Sequence, residues 1–212
     1  MITIHQYLDN YPINPASEKL IVGTIHPHDH AAFQVPFFYG NKSSLWTILH
    51  HAFPAELPDP RHLPDIMAFL YHRKISISDT IRECERKSRA ALDQDLIPLH
   101  LNEELPEQIR NSNIREVLFT SGFGKNNAFK LFYNDLLRRP LTTQIRKDRE
   151  VTLEKELFGR PVRLRALYSP SGAANTGLVK SALYLANREK YNDHPAPVQA
   201  FKIDYYRGVF DE

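Results

Sequence analysis

Apolar residues fall in short runs between polar, proline- and glycine-containing stretches, and their spacing alternates between two periods. The run "KLIVG", closing on Ile21, Val22 and Gly23, is too short for a helix and reads as a buried strand. Ser43 or Ser44 is placed to cap a helix with Leu45, Ile48, Leu49 and Phe53 on one face. Prolines at 54, 58, 60 and 64 predict a loop after it. "KISIS", Lys74–Ser78, predicts a second strand, and "REVLFTSG", Arg115–Gly122, a third that ends at a glycine. Asn126 or Asn127 is expected to cap a helix that buries Ala128, Leu131, Phe132 and Leu136. Val151 and Leu153, then Val162, Leu164 and Ala166, alternate about an "FGRP" turn, the pattern of a β-hairpin. Thr176 is expected to cap a last long helix with Leu178, Val179, Ala182, Leu183 and Ala186 on one stripe.

Strands that alternate with helices predict an α/β class, a three-layer α/β/α sandwich around a short, mainly parallel sheet. A chain of 212 residues suits one domain, residues 1–212. Ligands of such sheets sit beyond the carboxyl ends of the strands. Here those ends read "GTIHPHDH", "SISDT", "TSGFGKN" and "SPSGAAN", all polar, small or glycine-rich.

Composition narrows the setting more than the function. With 42% hydrophobic and 25% charged residues the chain has the make-up of a soluble globular protein. No stretch approaches the ~18 apolar residues of a membrane span, and "MITIHQYLDN" lacks the basic start and apolar core of a signal peptide. Cys84 is alone, so no internal disulfide forms, and a reducing, cytoplasmic location is expected for a chain acting as a monomer. A formal charge of +2 permits nucleic-acid binding without arguing for it.

The loops carry the candidate chemistry. His26, His28 and His30 alternate, so an extended segment points them to one side, and neutral imidazoles suit zinc. "HPHDH" falls one residue short of the H-x-H-x-D-H pattern of metallo-β-lactamase-like hydrolases, and the other histidines have no metal-site context. "SGFGKNN" is not a nucleotide phosphate loop: Gly122 and Gly124 are too close, and Asn126 stands where Ser or Thr would hold magnesium. Phe37, Phe38 and Tyr39 are either core or a stacking surface for a flat base. "SPSG" is a connecting turn or a backbone clamp on a phosphodiester.

Taken in order, these segments resemble the uracil-DNA glycosylase superfamily, nearest its mismatch-specific (thymine/uracil) and hypoxanthine-DNA glycosylase branches. The resemblance rests on Gly23, Pro27, Phe38 and "SSLW", on "SPSG" at Ser169–Gly172, on "ISDTIRECERKSRAALD" from Ile77 to Asp93, and on "VLFTSGFGKNNAFKLF". It implies an enzyme that extrudes a nucleotide and hydrolyses the N-glycosidic bond of a deaminated or otherwise altered base. It implies DNA as partner, possible use of single strands, no membrane, and neither metal nor organic cofactor. On it, His26, His28 and Asp29 are the catalytic candidates, a loop that positions water as the sugar becomes cationic. Phe38, Thr24, Asn41, Ser43 and Ser169 are expected to contact the base. Ser169, Pro170, Ser171, Gly172, Ala173 and Lys125 are expected at the DNA backbone and the hole left by the base.

The departures shape the expectation too. His26 stands where the superfamily often has Asn or Asp, Ser43 where the hypoxanthine branch has Asn, and Ser169 where His or Asn opens the second motif. Ala173 and Ala174 replace a larger wedge. Two alternatives follow: a nucleic-acid-binding member of the fold with altered catalysis, and a metal-dependent hydrolase using "HPHDH".

Overall fold

The computed structural model describes residues 1–41, 44–88 and 92–212. Among them the strands form two sheets. The larger joins β2 (Lys19–Gly23), β3 (Ile75–Asp79), β6 (Glu116–Phe119), β7 (Glu150–Leu153) and β8 (Val162–Ala166) in the order β3–β2–β6–β8–β7. β2 pairs in parallel with β3 and β6, β6 in parallel with β8, and β7 runs antiparallel on the edge. The smaller is antiparallel: β1 (Ile2–Ile4), β4 (Ile81–Arg86) and β5 (Leu96–Leu101), ordered β1–β4–β5. The helices are α1 (Ser44–Ala52), α2 (Leu63–His72), α3 (Leu105–Arg110), α4 (Ala128–Lys130, continued by a π-helical turn over Leu131–Leu136), α5 (Thr143–Asp148), α6 (Lys155–Phe158), α7 (Asn175–Leu178), α8 (Ala182–Asn187) and α9 (Pro197–Asp211). This is the expected mixed α/β architecture, a mainly parallel central sheet flanked by helices.

The chain divides into two compact units. The first, Met1–Phe33 with Leu70–Leu167, holds both sheets. On one face of its larger sheet Leu20, Val22, Val117, Phe119, Leu164 and Ala166 pack with Leu105, Ile109, Phe129, Phe132 and Phe158 from the helices. The opposite side chains of the central strands, Ile21 and Leu118, are fully buried as well. Burial on both faces makes a parallel strand read as an unbroken apolar run, hence "KLIVG" and "EVLF". Each such side chain stabilises by about 1.5–3 kcal/mol. The second unit, Gln34–Phe69 with Tyr168–Glu212, is helical; α1 packs on α9, and Leu178, Tyr184, Tyr191 and Phe201 form a separate cluster.

Several elements differ from the periodic reading, each for a local reason. Pro64 lies in the first turn of α2, where a missing amide hydrogen costs little, so the proline-rich stretch is not all loop. The helix expected from Thr176 is broken into α7 and α8; Ser181 caps α8 by accepting from the Tyr184 amide, and Leu183 and Ala186 are exposed. β7 and β8 pair as expected, but α6 and the left-handed Gly159 (φ 73°) replace a tight turn. Asn127 precedes α4 without a side-chain cap. Ser121 Oγ accepts from the Ala128 amide at 2.8 Å instead.

Candidate active site

Thr24 follows β2 and Ser121 follows β6, so register alone brings them side by side at the carboxyl edge of the sheet. Thr24 Oγ1 donates to Asp93 Oδ2 at 2.9 Å and lies 3.4 Å from Ser121 Oγ. With the Thr24 proton committed to Asp93, the Ser121 hydroxyl is the donor to Thr24. A directed chain results: Ala128 amide, Ser121, Thr24, Asp93. Asn126, buried and left-handed at φ 57°, holds the acid's segment by donating to the carbonyls of Asp93 (2.8 Å) and Leu96 (2.7 Å). Asn tolerates that backbone conformation better than most residues. Burial raises the Asp93 carboxyl above its usual range and the negative charge of Asp79 adds to this, while the Thr24 hydrogen bond and Arg86 oppose it. Among the described residues Asp93 Oδ1 carries no hydrogen bond, while Oδ2 is tied to Thr24.

The histidine loop follows β2. His26 is buried, 4% exposed, its ring within 4.8–5.2 Å of those of His5, Tyr7 and His30. Its Nδ1 donates to the Pro27 carbonyl at 2.7 Å, and its Nε2 accepts from the Gln6 amide at 3.0 Å. Burial lowers its pKa to about 4, leaving it neutral at neutral pH. Both nitrogens are therefore engaged by main chain, and a water on His26 has to displace the Gln6 amide. Arg86, itself buried, donates to the His26 carbonyl at 2.7 Å and to Thr3 Oγ1 at 3.0 Å. Thr3 in turn hydrogen-bonds His28 Nδ1 at 3.0 Å. Asp29 is exposed and precedes a short 3-10 turn over His30–Ala32. Among the described residues no three His, Cys, Asp or Glu side chains converge as metal ligands.

Behind this loop His5 Nδ1 accepts from the amides of Tyr7 and Leu8, so Nε2 carries the proton donated to Asp79 at 2.8 Å. Burial pushes the Asp79 carboxyl up and the His5 contact opposes it. The pair stitches the N-terminal segment to the end of β3.

Several cations lie on the first unit, among them Lys125, expected at the DNA backbone. Lys125, Arg138, Arg139, Arg146 and Lys147 are exposed. Arg149 is half-buried and structural: its Nε and Nη2 donate to the carbonyls of Ala166 (3.0 Å) and Leu167 (2.8 Å), and its guanidinium lies 5.6 Å from the Phe123 ring.

In the second unit Phe38 is 1% exposed, edge-on to Phe37 at 5.2 Å, and its carbonyl accepts from Trp46 Nε1 at 2.8 Å. Asn41 is half-buried, and Lys42 and Ser43 lie outside the described residues. The Ser169–Gly172 turn is internally braced. Ser169 Oγ accepts from the Ser171 amide at 3.2 Å, and Ser171 Oγ from the Ala173 amide at 3.3 Å. Pro170 is buried; Ser171, Gly172 and Ala173 are exposed. An open depression of about 410 Å³, lined by Thr47, His50, His51, Asp59, Pro60 and Arg61, involves none of the residues expected at the site.

Sequence reasoning missed Asp93, Arg86 and Lys202. Arg86 and Asp93 lie within the Ile77–Asp93 segment that carried part of the resemblance, but nothing local marks them as buried partners of the loop after β2. Lys202 had a signal: a lysine between Phe201 and Ile203, one turn before Tyr206, on a helix that also buries Val209 and Phe210.

No family model matches this chain, and no curated protein matches it. The chain is similar over its full length, and over the full length of the other chain, to the solution NMR structure of a candidate uracil DNA glycosylase from Methanosarcina acetivorans, at 19% identity and a TM-score of 0.52. That likeness shows a uracil-DNA-glycosylase-like fold.

Proposed function

We propose that this protein is a DNA-glycosylase-like hydrolase that cleaves the bond between an altered base and deoxyribose. The carrying observation is Asp93: a carboxylate at the carboxyl ends of β2 and β6, with Oδ2 held by Thr24 and Oδ1 without a hydrogen bond among the described residues. As the C1′–N bond stretches, its electron pair leaves with the base and the sugar becomes cationic. An ionised Asp93 stabilises that charge, and Oδ1 takes a proton from the water whose oxygen bonds C1′. His28 and Asp29 are the further acid-base candidates, and neutral His26 fixes the loop that bears them. Phe38, Thr24, Asn41, Ser43 and Ser169 are retained as candidate base contacts. Ser169–Ala173 and Lys125 are retained as candidate backbone contacts. The fold shared with a candidate uracil DNA glycosylase supports this reading. A DNA-binding member without base release is the second reading, favoured by the Ser169 hydroxyl being folded onto its own turn and by the covered Phe38 ring.

The test is a panel of single- and double-stranded oligonucleotides carrying uracil, hypoxanthine, xanthine or mismatched thymine. Base release from one or more supports the enzyme. Salt-sensitive binding without release from any selects the second reading, and neither binding nor release removes both.

A further inference from the structure

The Ser169–Gly172 turn is held from beneath by one face of α9. Lys202, 1% exposed, donates from Nζ to the carbonyls of Ser171 (2.9 Å) and Pro170 (3.3 Å). One helical turn on, the Tyr206 hydroxyl donates to the Tyr168 carbonyl at 2.8 Å. Positions i and i+4 share a helix face, so the two act as a row. No carboxylate lies within ion-pair distance of Lys202 among the described residues. On α9, Asp204 is turned to Lys190, Tyr191 and Arg207, and Tyr205 stacks with Phe201. On α1, His50 donates to the Leu57 carbonyl, and Arg207 spans to the carbonyls of Ala52 and His51. Among the described residues the hydrogen-bond partners of this buried cation are therefore carbonyl oxygens.

The consequence appears on the outer side of the turn. The Gly172 amide has no partner among the described residues, and a Cβ there would meet nothing within 4 Å. The Ser169 and Ser171 hydroxyls each already accept a main-chain amide, which leaves their protons to donate outward. We propose that Lys202, with Tyr206, is the positioning residue of this turn, holding its carbonyls inward so that the Gly172 amide and both serine hydroxyls form an edge for a phosphodiester. The uncompensated charge beneath adds positive potential to that edge. This inference rests on the reading of the turn as a DNA-backbone contact.

Burial alone lowers the Lys202 pKa to about 8, so the hold has a pH signature. In the full-length protein, carbon-detected NMR follows the Pro170 and Ser171 carbonyls from about pH 6 to about pH 10. They are expected to shift together with a midpoint of about 8. Affinity for a short duplex is expected to fall about tenfold across that midpoint. Lys202→Met should bind about tenfold more weakly at neutral pH and show no such step. Lys202→Arg, charged throughout, should keep its affinity at high pH. The wild-type titration needs no variant to fold. Carbonyls that neither titrate in this range nor move in Lys202→Met overturn the proposal. So does movement of the carbonyls with duplex affinity unchanged. Absence of duplex binding by wild type at low salt overturns the phosphate reading of the turn, while the carbonyl titration still reports whether Lys202 holds it.

Discussion

The loop after β2 and the turn at Ser169–Gly172 are each fixed by a buried base, in opposite charge states. His26 is neutral at pH 7, with a pKa of about 4, and Lys202 is mostly protonated, with a pKa of about 8. A neutral imidazole donates at one nitrogen and accepts at the other, so it engages both kinds of backbone group, Pro27 carbonyl and Gln6 amide. An ammonium only donates, so it gathers carbonyls and leaves amides facing out. The first loop therefore offers side chains, His28 and Asp29, and the second offers main-chain N–H. That division suits acid-base chemistry at one and anion binding at the other.

The comparison breaks hardest at the reaction itself. If the strand-end acid carries the chemistry, Asp93→Asn should lower single-turnover base release by about 100-fold or more. Duplex affinity should barely change, because the group acts on the transition state. His26→Ala should then act only through loop position, with a smaller loss. The larger loss in His26→Ala would return the water to the loop. Because burial raises the Asp93 carboxyl, the rate should rise with pH through a midpoint above the ordinary 3.8 and then level off.

Stability sharpens the contrast next. For His26 the folded pKa lies below its ordinary 6.5. As pH falls through 6.5 to about 4, the unfolded chain protonates first and the fold loses stability, about 3 kcal/mol in all. Asp79 and Asp93, both raised, have the opposite sign at low pH. The readable quantity is therefore wild type minus His26→Phe in urea unfolding across that window, and a difference independent of pH would refute it. Lys202 reverses the pattern of local and global effects. Between about 8 and 10.5 the unfolded chain binds more protons, so global stability rises with pH while the turn loses its charged anchor. Lys202→Met should accordingly unfold at neutral pH with little loss or some gain, despite a loosened turn. A loss above about 3 kcal/mol would mark Lys202 as a net stabiliser instead.

What was legible in the chain follows from which contacts are local. β2, β6 and β8 stand out because strands buried on both faces have nothing polar to interrupt them. Strand-end polarity then located the loops around Thr24, Ser121 and Ser169. The antiparallel sheet was invisible for an equally physical reason: beside buried Ile81, Cys84 and Leu96 it carries apolar residues on its exposed face and polar ones on its buried face. Ile2, Ile4, Ile97 and Leu99 are 43–56% exposed, while Thr3 and Arg86 are buried on the opposite face. Asp93 and Lys202 depend on partners 69 and 31 or 32 positions away, distances at which single-sequence periodicity carries no information. α9 was missed because a lysine at a buried position breaks its apolar stripe.

The smallest expected effect separates cations that serve DNA from cations that serve the fold. Lys125 and Arg149 both count as positive charge near the loop after β6, and charge alone does not distinguish them. Lys125 is exposed, whereas Arg149 spends its guanidinium on the carbonyls of Ala166 and Leu167 and on the Phe123 ring. If Lys125 meets a phosphate, Lys125→Ala should reduce the slope of log affinity against log salt by about 0.9. Its stability should change by no more than about 0.5 kcal/mol. Arg149→Ala should do the reverse, leaving the slope in place and costing stability, because two carbonyls at the end of β8 lose charged donors worth about 1.5–3 kcal/mol each at most. Salt titrations of duplex affinity beside urea unfolding of both variants read the two quantities. An unchanged slope in Lys125→Ala would take that lysine out of the DNA contact, and a reduced slope in Arg149→Ala would put that arginine into it.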